Sequence, residues 1–443
     1  MRTTRVALAA ICVLALVLRI AEAADSGEQP PDATAYAQLA ENLSEDGEYG
    51  FDPADPTTPP QPASTYSPGL PLLVAAVYTP AGEDETLARI VLALIGALAV
   101  PLAYLLARRL VGDSVAGPAG EYAGLAAALV LAVLPAMTEY AGLMMTEPLS
   151  AALLIGAVLA FLRASDDNDW RWAGATGLLA GALTLVRAEF IVLLLLLPLL
   201  ALVRRPHELR AAAVPAAAIA LGAVLVIAPW TIRNASALDR FVPVSTGGGK
   251  TLYIGTNLEA DGDAVKLRAD LLAEYPQLAT RLERRGPVDD PANYALERLL
   301  NHVASEEDPN ANPDEVLGRL GREQLGDAIT DQPGEFIGLL WGKTYDTWTQ
   351  PARQTMDLLP WRILQFALIF GALAGLVILA IRRRFEALVL GVVLLFITAV
   401  GALLIASPRR ALTAMPLVCA LAAAGFTLAC ASARQKWLRG QTP

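Results

Sequence analysis

Apolar runs of about 17 to 25 residues recur along this chain, separated by short stretches rich in arginine, and that length is what an α-helix needs to cross roughly 30 Å of hydrocarbon. Backbone polar groups find no water at that depth, so the runs must satisfy their own hydrogen bonds as helices. Of the 443 residues, 55% are hydrophobic and only 18% charged, against about 25% charged in a soluble domain. The net charge of −10 argues against nucleic acid as a partner, and the acidity concentrates in two polar stretches, 20–88 and 257–335. Cys12, Cys419 and Cys430 all fall inside apolar runs and suggest neither a zinc site nor a disulfide framework.

The runs place spans at about 5–22, 87–108, 120–138, 148–164, 172–188, 189–203, 211–230, 363–381, 386–406 and 411–432, which makes ten crossings with both termini on one side. Arg2 and Arg5, Arg108 and Arg109, Arg204, Arg205 and Arg210, Arg382 to Arg384, and Arg434, Lys436 and Arg439 all land on that side, so it is read as the cytoplasm. Asp32, Glu147 and the segment 231–360 are then external, while Arg409 and Arg410 stand against the rule in a short external turn. The N-terminus also imitates a cleaved signal peptide, with Arg2 and Arg5, an apolar run from Val6 to Leu18 and Ala21-Glu22-Ala23. Arg19, which breaks the run just before that site, argues for a retained span.

The expected class is an all-α polytopic membrane protein. Its membrane core, 1–230, includes a first external loop, 23–86; a mostly helical external region, 231–360, precedes three last spans and a short cytoplasmic tail, 361–443. No Lys or Arg occurs from Ile20 to Ala88, where Asp32 opens an amphipathic helix with Tyr36 four residues on. That puts a candidate catalytic acid at a membrane surface. A Pro-, Gly- and Asp-rich linker, 46–62, leads to Leu70–Val77, too short to span and read as interfacial or re-entrant. Leu39, Leu43, Leu70, Leu72, Leu73 and Val77 carry more apolar surface than disorder does.

Spans five and six share residues 172–203, about 48 Å of helix for two crossings that need about 60 Å. Their turn, Arg187-Ala188-Glu189, is therefore expected to be recessed, with its charges paired. Trp230 reads as an interface anchor at the end of span seven. In the external region Leu271, Leu272, Tyr275, Leu278 and Leu282, then Leu320, Leu325, Ile329, Phe336, Leu339 and Leu340, suit amphipathic helices. Gly249-Lys250-Thr251 lacks the glycine a phosphate loop needs at position 244, where Val244 stands, so the glycines are read as a turn. His207 and His302 fall on opposite sides of the membrane, which disfavours a catalytic histidine.

Taken in order, five stretches resemble the polytopic GT-C glycosyltransferases, in particular the bacterial relatives of protein O-mannosyltransferases and of the aminoarabinose transferase that modifies lipid A. They are Asp32 with Tyr36, Tyr66-Ser67-Pro68-Gly69-Leu70-Pro71, Thr146-Glu147-Pro148-Leu149, Arg187-Ala188-Glu189, and Pro229-Trp230-Thr231-Ile232-Arg233-Asn234. The turn Ser407-Pro408-Arg409-Arg410 is similar to the family's external Arg-containing turn.

The resemblance implies transfer of a sugar, with inversion, from a polyprenyl-phosphate carrier to a glycan, lipid or protein acceptor at the external face of a bacterial plasma membrane. Asp32 would be the general base. Many relatives carry an Asp-Glu pair here, and this chain has Ala33 instead. Glu147 and Tyr36 are the candidates for acceptor positioning or a second acid, with Thr146 as cap and Pro148 in the first turn as the plainer reading of that helix start. Arg409 and Arg410, then Arg187, Arg19, Arg233 and Lys343, are the candidates for the lipid phosphate, against simple interfacial snorkelling. The chemistry requires no cofactor, no ligand cluster demands a metal, and a divalent ion is left open. The alternatives are a secondary transporter or a membrane assembly subunit without catalysis.

Overall fold

The computed structural model describes residues 2–25, 27, 29–52, 61–112, 118–205, 207–278 and 296–439. Linker residues 53–60 and Leu282 lie outside the described residues, as do the side chains of Lys436 and Arg439. Helix α1 (Arg2–Ala24) leads into a loop holding α2 (Pro31–Glu45), a short antiparallel ladder pairing Gly50–Phe51 with Gln61–Pro62, and α3 (Gly69–Ala81). There follow α4 (Glu85–Ala97), α5 (Ala99–Val111), α6 (Ala119–Val133), α7 (Pro135–Glu139), α8 (Glu147–Asp167), α9 (Trp170–Val186), α10 (Leu193–Arg204) and α11 (Leu209–Leu238). Then come α12 (Gly248–Thr256), α13 (Ala264–Glu274), α14 (Leu296–Glu307), α15 (Pro313–Thr330) and α16 (Pro333–Thr349), and last α17 (Leu359–Ile381), α18 (Phe385–Leu403) and α19 (Pro408–Arg439).

The fold is all-α and polytopic, and each expected span falls on helix. Seven helices are long and apolar enough to cross a membrane, with α4 and α5 forming one rod, and the bent pair α6–α7 makes an eighth. Helices α9 and α10, at 17 and 12 residues, fall short of the roughly 20 needed. Seven or eight spans among the described residues, rather than ten, therefore meet the length requirement.

Local chemistry explains the irregular places. The 61° bend between α6 and α7 sits at Pro135, which has no N–H to give the Leu131 carbonyl. The Arg19 guanidinium, 1% exposed, donates to the carbonyls of Leu131 and Ala132 at 3.0 and 3.1 Å, replacing the missing partners. Helices α9 and α11 approach so closely that a β-carbon on Gly177 would overlap the Ile219 carbonyl. At the ends of α5, α8 and α18, Arg109 pairs with Asp166 at 2.7 Å and Glu386 at 3.4 Å, and Arg384 holds Glu386 at 3.0 Å.

The described part of the first loop is packed against the helices. Leu39 and Tyr49 from the loop share a core with Leu185, Ile227, Trp230 and Val244. Trp230 is thus 7% exposed, edge-on to Tyr49 at 4.7 Å, with its Nε1 donating to the Val244 carbonyl at 2.8 Å. It is a core residue, not an interface anchor, because α11 continues eight residues past it to Leu238.

The chain divides into two compact units, one comprising 1–244, 351–394 and 411–443, the other 245–350 and 395–410. The second has its own core, which includes Ile254, Leu267, Leu271, Leu299, Leu300 and Leu317. In it Gly247, at φ +100°, turns the chain into α12, whose first turn is closed by the Asp314 carboxylate accepting from the Lys250 N–H at 3.0 Å. The glycines are therefore a helix start packed on α15, and a carboxylate already occupies the place a phosphate would take.

Candidate active site

Helix α2 begins with Pro31, so its missing N–H falls where no helical partner exists, and Asp32 follows in the first turn, where the helix dipole favours a carboxylate. Asp32 is half-buried. Gln29, three residues earlier, accepts from the Met144 N–H at 3.1 Å and donates to the Gly142 carbonyl at 3.3 Å. Those atoms belong to the turn that enters α8, and Glu147 at the start of α8 is fully buried. One seam therefore brings the beginnings of two helices together, each with a carboxylate in its first turn. Thr146 makes no side-chain cap there, contrary to expectation, while Pro148 does occupy the first turn.

A second set of ties closes the group. Buried Tyr36 lies edge-on to Tyr66 at 5.2 Å. The adjacent Ser67 Oγ accepts from the Ala188 N–H at 3.2 Å. A β-carbon on Gly69 would collide with the backbone of Val186, so only glycine lets α3 reach the end of α9. Immediately beyond, the Arg187 Nε donates to Glu189 at 3.0 Å and its Nη1 lies 3.6 Å from Glu147. One guanidinium thus stands between two carboxylates, in the short turn between α9 and α10. Tyr36, Glu147 and Arg187 are in this way linked through Tyr66, Ser67 and Ala188 within the first unit, and Asp32 stands in the first turn of the helix that carries Tyr36.

The other candidate cations divide. Arg19 is committed to backbone carbonyls deep in the helix bundle, and the structure reassigns it from phosphate contact to capping the break before α7. Arg233 donates to the carbonyls of Ala63 at 3.0 Å and Tyr49 at 2.6 Å and lies over the rings of Tyr49 and Trp230, so it straps the first loop to α11. Lys343, Arg409 and Arg410 belong to the second unit. Lys343 is 3% exposed and donates to the Gly255 carbonyl at 2.7 Å. Burial, helped by the nearby Arg410 charge, pulls its pKa down to about 7. Arg410 donates to the Ile405 carbonyl, and both arginines are half-buried.

Gln29 and Tyr49 were not singled out by sequence reasoning; an amide before a proline pair and an isolated tyrosine carry no pattern, whereas Tyr66 opens one of the stretches that carried the resemblance. Among the described residues one carboxylate group, Glu41, Glu45 and Glu83, has oxygens within 4.8 Å of one another, at the opposite end of α2 from Asp32. Desolvation and the neighbouring Glu83 raise the Glu41 pKa, and a hydrogen bond with Glu83 raises that of Glu45.

Residues 62–232 match the family model of dolichyl-phosphate-mannose-protein mannosyltransferases. No curated protein sequence matches the chain. Among solved structures, the oligosaccharyltransferase AglB from Archaeoglobus fulgidus, in complex with an inhibitory peptide and a dolichol-phosphate, superposes with TM-score 0.53 at 16% identity, over 96% of this chain and 50% of AglB. The same enzyme tethered to an acceptor peptide gives 0.54 at 16% identity, over 96% and 49%. ArnT from Cupriavidus metallidurans bound to undecaprenyl phosphate is more distant at 0.40 and 18% identity, over 95% and 77%. The chain thus spans about half the length of AglB. A mannosyltransferase family model over residues 62–232 and a fold shared with an oligosaccharyltransferase over nearly the whole chain are in keeping with the resemblance to the GT-C glycosyltransferases.

Proposed function

We propose that the protein is an inverting glycosyltransferase that moves a sugar from a polyprenyl-phosphate donor to an acceptor hydroxyl at the external face of a bacterial plasma membrane. The observation that supports this reading is the seam at Gln29, which ties the chain just before α2, where Asp32 stands in the first turn, to the turn that enters α8. In the proposed step the acceptor oxygen attacks the anomeric carbon, Asp32 takes the hydroxyl proton, and the lipid phosphate leaves with the electrons of the broken C–O bond. Glu147, fixed by Arg187, and Tyr36 position the acceptor. Arg187 lies against two carboxylates, and negative charge developing on the departing phosphate calls for cations, for which Arg409, Arg410 and Lys343 are the candidates carried over from the sequence. The proposed sidedness is supported by the arginines at or just beyond the ends of α5, α10 and α17, since basic residues favour the cytoplasmic side.

The test is transfer from a panel of synthetic polyprenyl-phosphate sugars by purified protein in nanodiscs. Asp32→Asn is expected to lower kcat by about 10²–10⁴ with the fold intact. Equal turnover would remove Asp32 from the mechanism, and a folded protein inert towards every donor would overturn the enzymatic reading.

A further inference from the structure

Helices α15 and α16 are consecutive in the second unit, yet they expose opposite chemistry. The exposed residues of α15 include Glu315, Arg319, Arg322, Glu323 and Asp327, a largely charged set with Ile329 as its one large apolar member. From Phe336 onward, the exposed residues of α16 are Ile337, Gly338, Trp341, Gly342 and Tyr345, and none is charged. Ile337, Trp341 and Tyr345 recur every four residues on one face and are 66%, 75% and 52% exposed. A β-carbon added at Gly338 or Gly342 would meet nothing within 4 Å among the described residues. A tryptophan left three-quarters open on an uncharged face is costly in water and favourable at a lipid boundary.

The position of α16 along the chain says what covers that face. Trp348 donates from Nε1 to the Thr398 hydroxyl at 3.0 Å, and Thr347 packs against Gly401. Thr398 lies on α18, a helix long and apolar enough to cross a membrane, five residues before its end at Leu403. At 1.5 Å per residue that is about 7.5 Å in from the helix end. Only residues 350–358 separate α16 from α17, another such helix. The C-terminal half of α16 is therefore held at the depth where a spanning helix meets the headgroups.

We propose that α16 is an interfacial helix that seats its Ile337, Trp341 and Tyr345 face in the boundary between lipid headgroups and acyl chains. The occupant of the face is bilayer lipid. Because Lys343 projects from the buried side of the same helix, the lipid surface fixes the height of that ammonium above the acyl region.

Spin labels placed one at a time at 337, 341 and 345, in nanodiscs and with Cys12, Cys419 and Cys430 replaced by Ala, test this by collision with oxygen and with a water-soluble nickel chelate. The oxygen-to-nickel accessibility ratio is expected to be several-fold higher at each position than at labels on Arg322 and Glu323. A ratio equal to those controls would put the face in water, exclusion of both reagents would mean that protein covers it, and dipolar broadening between labels would mean a second copy; each overturns the proposal. Should the cysteine-free protein not fold, quenching by brominated lipid gives the same reading, since wild type should lose measurably more tryptophan emission than Trp341→Phe. Equal losses would sink the proposal.

Discussion

Arg187 serves Glu147 and Glu189 at once, and its removal or theirs should read out differently. Glu147→Gln removes one of the two carboxylates beside the half-buried Arg187 guanidinium. Its thermal stability should fall towards the lower end of the roughly 3–5 kcal/mol that breaking a buried pair costs, because Glu189 remains. Arg187→Met in the Glu147→Gln background should restore part of the loss, measured by thermal unfolding in detergent. Lys343 supplies a pH signature. Its pKa near 7 means that the ammonium exists below that value and is lost above it. Donor KM should therefore rise as pH climbs through about 7, and Lys343→Arg should flatten the profile. The same shift penalises protonation in the fold, so this residue makes stability rise as pH goes from about 7 towards 10.5. Asp32 was legible in the sequence because a carboxylate opening an amphipathic helix is a local pattern. The role of Arg19 was not, because its partners, Leu131 and Ala132, lie more than a hundred residues away and are orphaned only by a bend.

Among helices, the bend and the close crossings carry the sharpest expectations. Arg19→Leu should destabilise the α6–α7 junction by about 1–3 kcal/mol per orphaned carbonyl while leaving donor KM unchanged; a raised KM with unchanged stability would return Arg19 to the phosphate. Gly177→Val pushes a branched side chain into the Ile219 backbone and should lower the unfolding temperature of the whole membrane unit, or prevent folding, as judged by size-exclusion elution. Spans were readable because apolar runs must be helical in lipid, and the short α9–α10 hairpin was anticipated from residue arithmetic alone. The fate of Trp230 was not, since only the packed Tyr49 ring and the continuation of α11 to Leu238 make it a core residue. Among the described residues seven or eight helices meet the length requirement where the apolar runs suggested ten, because an apolar run marks a helix without fixing its length.

For the molecule as a whole, composition announced a membrane protein, and the order of short motifs pointed to its fold. What stayed hidden was membership of the second unit. A break at 231 and another near 360 follow naturally from where hydrophobicity falls and returns, whereas the unit bounded by contacts is 245–350 together with 395–410. Gly255 packs on the backbone of Leu403 and Leu404, and Thr347 on Gly401, contacts that no composition profile contains. A fragment of residues 245–350 expressed alone should accordingly show no cooperative unfolding transition, and one adding 395–410 through a flexible linker should recover it. The polypeptide passes between the two units four times, at 244, 350, 394 and 410. A module stitched in this way cannot be lost, grafted or exchanged by one recombination event. Change within it is therefore confined to substitutions and to insertions that respect all four seams.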